Sequence, residues 1–454
     1  MKRAVLVALS LVSTTAACVA VQAEGTDRSR SGKSGGGADT PTSTVALCVK
    51  TTTIADTIGG GDSPSVIARE INETGHVVGS AWVEANKSFH AFYWDGTMHD
   101  LGTFDGNSSE GSAINARDEI VGYADVLVGN VRTPAAFSWK NGALTRLGDL
   151  GGVYSIAADI NDAGDIVGSS LTANHETHAF LWSKGVMKDL GTLSGKSSLA
   201  LHINERGDIL GLADVAGEPR SHAVLWRDGR MTDLGDFTGV LNERGDVVLS
   251  GPSGTYLLRD GTRTAVVPFG DANTNGGVAG FNDLAQIVGT ARRPDGTLAA
   301  YLWDNGKTTL IGPADQPGWT TVRALNNSTQ VVGFYGDPPN REGQRAFSWK
   351  TDVLTFLTPE HSQAIATQIN NAGQILGTAA SVGKVWEVHP CDNTGDDAGA
   401  TTDAGSGGGT SSGGTSSGSS DGGGTSSDGG GSTDAGSSGG DDDGGSSGSS
   451  GKTS

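Results

Sequence analysis

Residues 160–168 read INDAGDIVG, and variants of that phrase recur along the chain. They are INETGHVVG (71–79), INARDEIVG (114–122), INERGDILG (203–211), LNERGDVVL (241–249), FNDLAQIVG (281–289), LNNSTQVVG (325–333) and INNAGQILG (369–377). Together these make eight copies, with Asn-to-Asn spacings of 43, 46, 43, 38, 40, 44 and 44 residues. Self-similarity at such a period marks a repeat architecture in which each unit is one supersecondary element. A second phrase alternates with the first: HAFYW (90–94), AAFSW (135–139), HAFLW (178–182), HAVLW (222–226), AAYLW (299–303) and RAFSW (345–349). In the fifth unit it is reduced to GTYLLR (254–259), without Trp; in the eighth it is KVWEV (384–388), with its Trp shifted. A third phrase follows in TMHDLG (97–102), VMKDLG (186–191) and RMTDLG (230–235).

Each unit therefore holds four apolar runs of strand length, parted by turn residues and lacking a helical period. Four antiparallel strands per unit, eight times over, predict an all-β chain folded as an eight-bladed β-propeller. The fifth unit is the shortest and least faithful, so seven blades is the alternative. The Asn-x-x-Gly turn joins strands one and two; Trp94-Asp95-Gly96-Thr97 typifies the turn between strands three and four. Both kinds fall on one face. The other connections vary freely, as in GNVRTPA (129–135), and build the opposite face. That variable face is where individual chemistry is expected.

The eighth unit has only three strands before Cys391, while VALCVKTTTIAD (45–56) is a lone β-branched run ahead of the first unit. The run is predicted to be the missing fourth strand, closing the ring and removing its open edges. Cys48 and Cys391 then lie at the seam, and a disulfide between them is expected in an oxidising compartment.

The flanks are of a different composition. Residues 392–454 hold 22 of the 72 glycines and ten acidic residues against one Lys, with no Val, Ile, Leu, Phe, Tyr or Trp. Such a stretch cannot bury enough apolar surface to offset ordering, and a disordered tail is expected. Residues 24–44 read as a flexible linker, which leaves 45–391 as the foldable body. Lys2, Arg3 and the apolar Ala4–Val12 read as a signal peptide. Two ends for it compete: cleavage after Ala23 (1–23), or a lipobox-like Thr15-Ala16-Ala17-Cys18, giving a leader of 1–17 and a lipidated Cys18 that anchors the chain to a membrane. The formal net charge of −20 argues against nucleic acid as a partner.

His90-Ala91-Phe92, His178-Ala179-Phe180 and the near match His222-Ala223-Val224, with the DLG and IN-x-x-G-x-I-V-G phrases, resemble the HAF-repeat extracellular proteins of bacteria. The resemblance covers nearly all of 54–389. It implies an exported propeller-like domain and no particular activity.

The in-register Trp residues read as inter-blade packing. The HAF histidines are spread around the ring by the repeat, so no metal site is expected of them. No nucleotide, metal or redox motif is present, and no cofactor is implied. Trp82 and Trp319 fall outside the register, in variable connections. With Tyr335, Arg341 and Arg345 they are the candidate ligand-binding residues. The expected function is a monomeric, non-enzymatic binding module for a protein or glycan on the variable face. The alternative is a secreted glycan hydrolase or lyase, using carboxylates among Glu84, Asp105, Glu110 and Asp337.

Overall fold

The computed structural model describes residues 14–17, 47–54, 58, 65–269, 277–293, 298–312, 319–336 and 343–391. Eight four-stranded antiparallel sheets stand in a ring, one per repeat. Blade 1, for example, runs Val66–Ile71, Val77–Val83, Ser88–Trp94 and Met98–Gly102 from the central channel outwards. Blade 8 is composite: Ala364–Ile369, Gln374–Ala379 and Val382–Pro390 come from the C-terminal side, and Leu47–Thr53 completes it. The register pairs Cys48 with His389 and Thr53 with Lys384. The Cys48–Cys391 disulfide ties this seam, with its Cα atoms 4.9 Å apart. A short strand, Thr14–Ala17, pairs outside Leu47–Thr53. The linker and tail (24–44 and 392–454) and Cys18 lie outside the described residues.

Eight blades, not seven, make the ring. Blade 5 keeps all four strands: Thr238–Leu241, Val247–Gly251, Gly254–Arg259 and Thr262–Ala265. Its missing Trp has a substitute. In blade 4 the Trp226 indole reaches back and donates to the Leu190 carbonyl of blade 3 at 3.1 Å. In blade 5 Leu258 occupies the Trp position, and its cross-strand neighbour Arg263 donates to the equivalent Leu234 carbonyl at 2.7 Å. The same guanidinium lies 5.3 Å above the Phe237 ring, a favourable cation–π placement.

Trp386, expected to be shifted, is in register. It pairs with Ile375 as Trp182 pairs with Ile166. Its nearness in sequence to Asn370 comes from the Ala380-Ser381 turn, which shortens the preceding hairpin. The Trp side chains wedge between blades, each against the blade before it: Trp94 on Val385 and Leu376, Trp303 on Val248 and Leu257.

The repeated Asn closes the ring from within. Each is nearly fully buried at the end of a first strand. Its Oδ1 accepts the backbone N–H four residues on, and in six of the eight also the one two residues on, as Asn204 does from Arg206 and Asp208, so the side chain shapes its own turn. Its Nδ2 donates to the backbone carbonyl of the next blade's Asn. The circuit runs 72, 115, 161, 204, 242, 282, 326, 370 and back to 72, with all eight bonds between 2.8 and 3.3 Å. A second circuit lies over it: the N–H of the residue after each Asn donates to the side chain at the same position one blade on. It runs from Ala116 through Asp162, Glu205, Glu243, Asp283, Asn327 and Asn371 to Glu73. It breaks between Glu73 and Ala116, where a methyl group has no acceptor to offer.

The HAF and DLG phrases are also physically linked. His90, His178 and His222 each bring Nδ1 to 2.8–2.9 Å from the DLG carboxylate of Asp100, Asp189 and Asp233. Each Asp in turn accepts the N–H of its own DLG glycine. The histidines thus tie third strands to fourth strands.

Candidate functional site

The candidate binding residues divide between two blades. Trp82 is the penultimate residue of the second strand of blade 1. Its indole N–H donates to Glu84 at 3.0 Å and its ring stands edge-on to Phe89. Trp319 opens the first strand of blade 7, is 38% exposed, and covers Gly336 while packing edge-on to Phe334. Blade 8 stands between these two Trp-bearing blades. Tyr335 is buried, its ring 5.9 Å from Phe356. The Arg345 guanidinium lies 3.6 Å over that same Phe356 and bonds the Thr358 carbonyl. Tyr335 and Arg345 therefore sit together in the packing of blade 7, leaving Trp319 as the exposed member. Arg341 and Asp337 lie outside the described residues. The remaining loop carboxylates have local partners. Glu110 accepts from Tyr123 and pairs with Arg69, Asp105 accepts the Leu127 N–H, and Glu84 pairs with Lys87.

The same face carries an apolar projection that the composition did not flag. Blade 2 has unusually long second and third strands, Ile120–Val128 and Val131–Lys140, joined by the two-residue turn Gly129-Asn130. At the tip Leu127, Val128 and Val131 are exposed, Val131 by 66%. The adjoining first strand of blade 3 contains Val153, also exposed, at φ +63°. A β-branched residue in the left-handed region is strained by about 1–2 kcal/mol, and such strain collects at functional surfaces.

A second concentration of chemistry lies at the channel, on the Asn-turn face, and sequence reasoning missed it. A cavity of about 420 Å³ opens there. Its lining includes the half-buried Glu70 and Asp159 and the exposed His202, each two residues before the repeated Asn. That position reads Glu, Ala, Asp, His, Val, Gly, Ala, Gln around the ring, and its charged members line the cavity while Ala113 packs in the core between blades. Its variation inside an otherwise constant phrase was the available signal. The Glu70 carboxylate accepts the Ile114 N–H of blade 2 at 2.9 Å, and Asp159 accepts the Ile203 N–H of blade 4 at 2.9 Å. Gln368 does the same for Ile71 of blade 1 at 3.2 Å. The carboxyls are thus inter-blade clamps. Burial, and then the charge of Asp159, push Glu70 up to about 8, against the lowering effect of its Ile114 bond. Burial also raises Asp159, opposed by His202, whose Nδ1 is 3.8 Å away. At the mouth Glu205 and Glu243 are raised, by burial and by neighbouring carboxylates.

No protein-family profile and no curated protein matches the chain. Among solved structures it is similar to the β-propeller domain of the Trilobed protease from Pyrococcus furiosus, at 12% identity and a TM-score of 0.42, covering 65% of this chain and 96% of that one. It is also similar to a puromycin hydrolase, at 11% identity and a TM-score of 0.43, covering 70% of this chain and 58% of that one. For TolB from Acinetobacter baumannii the values are 12% and 0.32, over 69% and 65%. Likeness at this level concerns the propeller fold alone.

Proposed function

We propose that the chain is an exported binding module that holds its variable face to a partner protein and performs no catalysis of its own. The HAF phrases and the leader-like N-terminus support export, and so does a disulfide at the seam, since such bonds persist in oxidising compartments. The observation that carries the binding role is the projecting tip of blade 2, with three exposed aliphatic side chains beside the strained Val153. Aliphatic surface of this kind suits protein contact. Sugar recognition calls for open aromatic platforms, and of the two Trp candidates Trp82 has its indole N–H committed to Glu84. Lipidation at Cys18 would tether the ring and leave the linker to set its reach.

The test uses two valines of equal exposure, Val131 on the variable face and Val186 next to the Lys184-Gly185 turn on the Asn face, both 66% exposed. A photo-crosslinking side chain placed at each, in the full chain in its own cells, is expected to give a discrete protein adduct from position 131 and none from position 186. Adducts from both, or from neither, contradict the proposal. Glycan-array binding that survives changes at the blade 2 tip but is lost in Trp319→Ala would replace it with a sugar-binding role. Recovery of the chain in the cytoplasm with free Cys48 and Cys391 thiols would remove the case for export. Labelled-lipid incorporation lost in Cys18→Ala would establish the anchor.

A further inference from the structure

We propose that Glu70 and Asp159 form a proton-operated latch in the channel, which tightens the ring on acidification and loosens it in alkali. The geometry has three parts. Both carboxyls sit on first strands, at the innermost radius, and each accepts a backbone N–H from the following blade, so their state bears directly on blade-to-blade contact. They belong to blades 1 and 3; Ala113, at the same position of the intervening blade, packs in the core, and the two carboxyls line one cavity. The described residues lining that space include six carboxylates and one imidazole, with no Lys or Arg: Glu70, Asp159, Glu73, Asp162, Glu205 and Glu243, with His202. Beyond them Arg117 and Arg206 bond the carbonyls of Asp162 and Arg244, and the charge of Arg117 partly offsets the raising of Glu205.

Two half-buried carboxylates confined with other carboxylates repel each other, and a retained proton relieves that repulsion. A protonated carboxyl still accepts the Ile114 or Ile203 N–H through its carbonyl oxygen, so protonation removes the repulsion without opening the clamp. Blade 8 supplies the internal comparison. Gln368, at the same repeat position, clamps Ile71 with a neutral amide.

The direction follows from linkage. A carboxyl raised in the folded ring binds its proton more tightly there than in the unfolded chain. Its stabilisation is fully present below the ordinary carboxyl value and is lost as pH rises through the raised one. The window for Glu70 therefore runs from about 4.5 up to about 8. Within it one proton changes the folding equilibrium by up to about tenfold per pH unit.

The experiment is urea unfolding of the full, disulfide-bonded chain between about pH 5.5 and about pH 8.5. The wild type is expected to unfold at progressively lower urea as pH rises. Glu70→Gln, which keeps an acceptor for Ile114, is expected to remove about one proton's share of that slope and to resist more urea than the wild type at the alkaline end. A Glu70→Gln slope equal to the wild-type slope, or a wild type that gains stability with alkali, overturns the latch. Should the variant not fold, infrared spectroscopy of the wild type decides. A protonated-carboxyl band present at about pH 6.5 and titrating away in alkali is expected, and its absence overturns the proposal.

Discussion

The turn at Asn161–Asp165 and the turn at Gly129-Asn130 are both tight hairpin connections, on opposite faces of the ring. In the first, the Asn161 side chain bonds its own turn and the next blade's Asn204, and Asp162 bonds Glu205. In the second, the flanking Leu127, Val128 and Val131 stand in solvent. The difference teaches what the repeat is for. A connection that recurs in every blade can be satisfied by its own copy next door, so a circuit of identical bonds closes on itself and fixes the ring. A connection that occurs once has no copy to bond and is free to carry a partner-specific surface.

Breaking the circuit should have the largest effect. Asn326→Ala removes three hydrogen bonds at once: it leaves the buried Gln330 N–H without its acceptor, frees the Ser328 N–H, and leaves the Asn370 carbonyl with the Gly373 N–H alone. A loss of about 3–5 kcal/mol is expected in chemical denaturation. A loss within the range of ordinary surface changes would mean the circuit is incidental. Next is the seam: Cys48→Ser with Cys391→Ser is expected to cost about 2–5 kcal/mol, because the closed loop spans nearly the whole ring. On the variable face the sign reverses. Val153→Gly relieves the left-handed strain and should raise stability by about 1 kcal/mol, while weakening whatever contact the strained residue serves. Val131→Ser should change stability by less than about 0.5 kcal/mol, so any larger consequence for adduct formation reports on binding.

The fold was legible to an unusual degree because one chain contained eight versions of the same answer. Strand number, seam and disulfide all followed from comparing copies. Trp386 was misplaced because spacing counts loop length as well as register, and the Ala380-Ser381 turn is short. The site was less legible. Trp82 and Trp319 stand outside the register and Tyr335 and Arg345 lie near Trp319 in sequence, yet Tyr335 and Arg345 serve the packing of blade 7 around Phe356. Glu70 and Asp159 were overlooked for the opposite reason. They sit inside the phrase, where the constant Asn draws attention from the one position that changes. Their environment comes from blades that lie about forty or more residues away in sequence, and that proximity exists only once the ring has closed.

Hydrogen–deuterium exchange of the intact chain tests the central claim most directly. If the Asn circuit closes the ring, the backbone amides of all eight Asn turns exchange slowly and together, including the degenerate turn at Asn242 and the seam between Asn370 and Asn72. The Gly129–Arg132 tip exchanges fast. Rapid exchange at Asn242 or across the Asn370–Asn72 seam, with the other turns protected, would show an open or shorter ring and contradict the account.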